Sequence, residues 1–179
     1  INNADALGTH MEAFKEQMLQ DSKVVALTNS SRMFQTGIPG TGYLFEKREG
    51  ANPLPSQFLD VDTDFLKTFQ IEMEEGRFFD PEVVTDSSAV IINNEAKALF
   101  QAEDVVGKDL YSLDVREVGR RYTIIGVIKD FNYESLHSGV RPLVLHLNAP
   151  RQSANILTIR ISPSATDEII ARAKKLWEE

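Results

Sequence analysis

The segment Tyr122 to Asp130 constrains this chain more than any other, because Ile124, Ile125, Val127 and Ile128 are apolar at adjacent positions. Successive side chains of an extended segment point to opposite faces. A strand of this kind is therefore covered on both faces and belongs in the middle of a sheet. Gly126 removes a side chain in mid-strand, which predicts a bulge or the close approach of another backbone. Ala89 to Ile92 is a second run without polar alternation and predicts another buried strand. With 179 residues and 42 per cent apolar content, the chain has the material for one substantial domain or two small subdomains with a real core.

Around these two strands the pattern alternates between strands and helices. Asn93 or Asn94 is placed to cap a helix running to about Phe100, with Ala96, Leu99 and Phe100 on one face and Gly107 marking the following turn. Asp62 or Thr63 is placed to cap a short helix that starts near Asp64 and carries Phe65, Leu66 and Phe69. Gly76 reads as a turn that feeds an extended piece, Arg77 to Phe79, closed by Asp80-Pro81. Pro142 to Leu147 reads as a strand, with Pro142 at its start or on an edge.

Nearer the termini, Met11 to Gln20 predicts an amphipathic helix with Met11, Phe14, Met18 and Leu19 as its stripe and Thr9 as cap. Strands are expected at Val24 to Thr28, Tyr43 to Glu49, Gln57 to Asp62 and Ile156 to Ile161, with a turn at Gly50 to Pro55. A last helix, capped by Ser164 or Thr166, runs through Trp177. From Asn29 to Gly42 the chain shifts to Ser, Gly, Thr and Pro and reads as a loop. Partial burial under that loop accounts for Met33, Phe34 and Ile38, and contact with partners is their functional alternative.

The order of phrases DFLKTFQIEMEEGRFFD, SSAVIINNEAKALF, VGK, YTIIGVIKDFNYESLH and RPLVLHL resembles the extracytoplasmic core domain of bacterial ABC-transporter permeases of the MacB/FtsX type. The likeness is densest over Gln57 to Leu147. It implies an α+β fold with two subdomains. One is a porter-like α/β sandwich built from both chain ends, residues 1–62 and 150–179; the other is an inserted mixed α/β, sabre-like subdomain, residues 63–149. It further implies a non-enzymatic domain on the periplasmic side, anchored by membrane helices of the same permease beyond both ends. Those helices would couple it to a cytoplasmic ATP-binding subunit and, outside the membrane, to a second permease copy, a periplasmic partner or the exported substrate. In this setting Met33, Phe34 and Ile38 are the candidate partner contacts.

Composition narrows the chemistry. A formal net charge of −8 argues against nucleic acid as a partner, since that affinity comes from clustered Lys and Arg. Without cysteine there is neither a disulfide framework nor a thiolate metal site, and no cofactor is expected. No apolar run reaches the roughly 20 residues of a membrane helix. Asp60, Asp62 and Asp64 imitate the opening of a calcium loop, but Phe65 and Ile71 stand where that loop needs Gly and Glu. Between Gly37 and Gly42 no phosphate-binding pattern with its lysine appears. Asp130 and Arg141 flank the ESLH loop and are placed to pair, while Glu72, Glu74 and Glu75 read as a solvated face. A different class of function, a free-standing ligand-binding or hydrolytic domain, would rest on Glu134 and His137, with Ser135 between them outside any nucleophile elbow.

Overall fold

The computed structural model describes residues 1, 7, 10–32, 34, 37–46, 52–115, 117–133, 139–147 and 156–178. In chain order the elements are α1 (Met11–Leu19), β1 (Val24–Ser30), β2 (Gly40–Phe45), β3 (Leu54–Val61), α2 (Phe65–Phe69) and β4 (Met73–Gly76). There follow β5 (Ala89–Asn93), α3 (Asn94–Phe100), β6 (Asp109–Ser112), β7 (Arg121–Ile128), β8 (Leu143–Leu147), β9 (Ile156–Ile161) and α4 (Thr166–Glu178). The fold is α+β.

The strands run β2-β6-β7-β5-β8-β3-β1-β9, and β2 pairs with β3 as well, so six of them close into a ring. β5 lies parallel to β7 and antiparallel to β8, and β8 lies parallel to β3. Tyr43, Phe58, Val90, Leu110, Tyr122 and Val144 meet in one apolar cluster. Since each strand of the ring supplies one of these residues, that cluster is the ring's interior; Ala96 and Phe100 of α3 join it. On the outer face Leu59, Val61, Ile91, Ile128, Leu143 and Leu145 pack beneath Phe65 of α2. The strands β5 and β7 thus have the double coverage that their sequence demands.

A third cluster is separate from both. Met11, Phe14 and Met18 of α1 pack with Val24 and Leu27 of β1, Leu157 of β9, and Ile169 and Ala173 of α4. We call these four elements the chain-end layer. β1 and β9 share a long antiparallel register from Val24–Ile161 to Ser30–Ile156. β1 meets the ring at the single pair Ser30–Val61.

Several local expectations need correction. β2 begins at Gly40, inside the stretch read as a loop, and β3 begins at Leu54, where a turn was expected. Both extensions are selected by pairing, Gly40 with Gln57 and Tyr43 with Leu54, which a local reading of Gly and Pro does not see. The strand near Gly76 precedes it rather than following, and Gly76 ends β4 at a φ of 69°. β6 was not anticipated; it is short, and its partners are β2 and β7. Leu19 is 48 % exposed and lies off the buried stripe of α1. Pro142 immediately precedes β8, an interior strand, where its carbonyl accepts the Gln57 N–H at 2.8 Å and its missing donor is not needed.

Asn93 shows how one side chain joins layers. Its Oδ1 accepts the N–H of Ala96, capping α3, and the N–H of Leu143 at the start of β8, while its Nδ2 donates to the Arg141 carbonyl.

Gly126 has the crowding its position predicts. The register of β5 against β7 shifts between Val90 and Ile91, beside Gly126. A Cβ at residue 126 would lie 2.5 Å from the Arg77 carbonyl oxygen and 2.6 Å from Met73 Cε. Gly126→Ala is therefore expected to destabilise the fold by about 1–3 kcal/mol, the usual cost of overpacking. Urea unfolding checks this, and an unchanged midpoint would show that β4 yields freely.

Candidate functional site

Two polar constellations, one partly and one fully buried, stand out among the described residues. The first centres on Asp62, just after β3. Its Oδ1 accepts the Thr28 hydroxyl at 2.5 Å and the Asp64 N–H at 3.1 Å; its Oδ2 accepts Lys15 Nζ at 2.9 Å and the Asn29 N–H at 2.7 Å. Four donors from α1, β1 and the entry to α2 thus fill the lone-pair sites of one carboxylate. Lys15 also reaches Asp64 Oδ2 at 3.4 Å. Burial disfavours its ammonium, but the charge and hydrogen bond of Asp62 outweigh burial, and the Lys15 pKa is raised.

The second lies inside the ring. His146 of β8 is 8 % exposed, and its Nε2 lies 2.8 Å from the Tyr43 hydroxyl. Tyr122 meets the imidazole edge to face, and its hydroxyl donates to Glu117 at 2.8 Å, with the Arg120 guanidinium 5.0 Å from the Tyr122 ring centre. Burial, helped by the charge of Arg120, pushes the His146 pKa down to about 4. The imidazole is neutral at pH 7. Burial likewise raises the Tyr43 phenol well above its ordinary range. Such a pair holds β2 to β8 by a neutral hydrogen bond.

An open groove of about 720 Å³ is lined by Gly40, Pro53, Pro55, Leu99, Arg141 and Pro142, among others. Its walls are mainly apolar, and no pair of acids or nucleophile with a base lines it.

The residues singled out from sequence are dispersed. Ile38 is 6 % exposed and belongs to the outer-face core, and Phe34 is half-buried against Phe65, Phe69, Phe131 and Tyr133. Met33 lies outside the described residues, as do Glu134, Ser135 and His137. Asp130 accepts the Glu95 N–H at 3.2 Å, and the Arg141 carbonyl accepts from Asn93 and Tyr133. Glu72 pairs with Lys129, Glu75 with Lys97, and Glu74 accepts from Asn94. Among the described residues no cluster of three or more His, Asp or Glu is arranged to hold a metal. Sequence reasoning missed Lys15. Its signal was available, since it stands four residues after Met11 and three before Met18, on the buried stripe of α1.

With this geometry in view, the comparisons with known proteins are consistent. The family model of the MacB-like periplasmic core domain matches residues 7–176. The chain belongs to that family: it is the periplasmic core domain of a MacB/FtsX-like ABC-transporter permease. Among solved structures it is similar to the extracellular domain of the noncanonic ABC-type transporter YknZ from Gram-positive bacteria, with 14 % identity, a TM-score of 0.62 and coverage of 92 % of this chain and 80 % of that one. It is similar also to the periplasmic region of MacB from Actinobacillus actinomycetemcomitans, with 14 % identity, a TM-score of 0.56 and coverage of 92 % and 73 %. A domain of a putative permease protein from Porphyromonas gingivalis gives 19 % identity, a TM-score of 0.61 and coverage of 89 % and 74 %. At these identities the structures show a shared fold. No curated protein matches the sequence. Among the described residues no helix is long and apolar enough to cross a membrane.

Two outcomes follow from the buried groups. An unfolded chain binds a proton on histidine near pH 6.5, and the folded one binds it on His146 only near pH 4. The contribution of His146 is thus complete above about pH 6.5 and is lost progressively as pH falls through that window, by about 3 kcal/mol in total. In urea unfolding at stepped pH, a His146→Gln variant should lose this part of the slope; identical profiles would exclude the buried neutral imidazole. Separately, Lys15→Met leaves the Asp62 carboxylate without its cation and should cost about 3 kcal/mol. A double-mutant cycle with Asp62→Asn reads the coupling, and additive costs would show that the pair contributes nothing.

Proposed function

We propose that this domain is non-enzymatic and acts by mechanical coupling: it moves with membrane helices of its own permease and links ATP hydrolysis by a cytoplasmic subunit to export or signalling outside the membrane. The observation that carries the reading is the family match over nearly the whole chain. Its polar groups support it, since the Asp62 and His146 constellations satisfy one another across elements and hold parts together. The partners in this reading are the permease helices, the ATP-binding subunit through them, and outside the membrane a second permease copy, a periplasmic protein or the substrate.

The division into a porter-like unit, residues 1–62 and 150–179, and an inserted unit, residues 63–149, is part of the same proposal. The separate cluster of the chain-end layer supports a unit built from both chain ends, while β2 and β3, which fall within 1–62, pair and pack with the ring. In the connection from Asn29 to Gly42 the proposed partner contacts are Met33, Phe34 and Ile38; the Phe34 ring is half-buried and Ile38 is buried in the outer-face core.

Three measurements test the reading. These 179 residues hold no cysteine, so Val115→Cys, in a permease whose other segments are freed of cysteine, introduces a unique thiol at a site that is 90 % exposed. A membrane-impermeant maleimide should label it in the full-length permease in intact cells, and labelling only after lysis would overturn the location. In the reconstituted transporter, excising residues 7–176 should abolish export while ATP hydrolysis persists uncoupled from it; undiminished export would overturn the coupling role. Phe34→Ser should weaken crosslinking to the partner without altering expression, and unchanged crosslinking would remove the connection from the interface.

A further inference from the structure

We propose that Asp62 is the pin of a joint between the chain-end layer and the ring, and that Lys15 is the lock that holds the joint at one angle. The inference rests on the two-unit reading proposed above, with β2 and β3 taken with the ring.

Three observations converge on it. First, no residue of the chain-end cluster belongs to either cluster of the ring. Second, the strand ladder between them is nearly absent. After the pair Ser30–Val61, side chains stand in for backbone: the Asn29 N–H is met by the Asp62 carboxylate and the Asp60 N–H by the Ser31 hydroxyl. The main chain adds the Asp62 N–H to the Asn29 carbonyl and the Ser31 N–H to the Asp60 carbonyl. A carboxylate turns about its own bonds and keeps its donors as β1 tilts, which a peptide carbonyl fixed in a ladder cannot do. Third, Lys15 comes from α1, an element of the layer that forms no strand pairing with the ring, and its ammonium closes on the same carboxylate from that side.

The remaining contact is the face of α2 against β1 and β9, where Arg160 Nε donates to the Thr68 carbonyl at 2.5 Å. Backbone at that contact is not interlocked by a ladder, so the layer can shift across α2 while its own β1–β9 register is kept. With Lys15 in place the carboxylate is held between α1 and β1 and the angle is fixed. Without it the carboxylate retains Thr28, Asn29 and Asp64 but loses its hold on α1.

The absence of cysteine permits a direct test in the 179-residue chain. Spin labels at Glu16→Cys on the exposed side of α1 and Glu103→Cys in the connection from α3 to β6 report the angle, and labels at Glu103→Cys and at Val118→Cys, in the connection from β6 to β7, report the ring alone. The parent should give one narrow distance distribution for each pair. Lys15→Met should broaden the first at least twofold and leave the second unchanged. Thr28→Val, which removes one donor and keeps both charges, should broaden the first to a lesser extent and serves if Lys15→Met does not fold. A first distribution that stays as narrow as the parent's, or equal broadening of both, overturns the lock. Hydrogen exchange separates this from failure of the two-unit reading. If amides of β1 and of β7 in the parent open together with one free energy, the division itself is wrong, whatever the labels show.

Discussion

The double pairing of β2, with β3 on one edge and β6 on the other, is the constraint on which the rest of the structure depends. It removes the free edges that β3 and β6 would otherwise present and turns a sheet with two faces into a ring with an inside. Once the ring is closed, Tyr43 brings its hydroxyl to His146 and the apolar side chains of six strands share one interior. Opening the β2–β3 pairing would expose Tyr43, His146 and Tyr122 together, so a local change at Gly40 to Tyr43 acts on the whole core. A buried neutral hydrogen bond suits this place: an apolar pair would fill the volume, but the Tyr43–His146 contact also rewards one register of β2 over its neighbours.

The strongest elements were legible because their information is local. Ala89 to Ile92 and Tyr122 to Asp130 read as buried strands, Asn93 or Asn94 as a cap and Gly126 as a close approach; the strands are Ala89–Asn93 and Arg121–Ile128, the latter two residues shorter at its end, the cap is Asn93, and Gly126 is crowded as read. What escaped was set by partners distant in sequence. Gly40 to Gly42 is a strand because β3 lies beside it, and β6 exists because β2 and β7 leave a slot for it. Propensity disfavours glycine in strands, and here pairing overrides it. The α+β fold class and the family were therefore readable, while ring closure was not.

The same division holds for the polar groups. Asp62 looked like a helix cap or one face of an alternating strand, and it does receive the Asp64 N–H at the entry to α2. Its larger role needs Lys15, which lies 47 residues earlier and reads as one more surface lysine unless its place on the buried stripe is weighed. His146 carried no sequence signal of its own, because a histidine in an apolar run has no meaning until the facing tyrosines are known.

The route of the chain also imposes an order in time. β2 pairs with β3 across a short connection, whereas β1 finds β9 only after Leu27 and Ile159 have both been made. Distant pairings form late because closing long loops costs entropy before any contact offsets it. During synthesis the ring strands are all available before β9 emerges, and β1 waits with one edge unpaired until then. The layer built from both ends is consequently the last part to assemble, and its completion marks a chain whose ring has already been threaded through to β8.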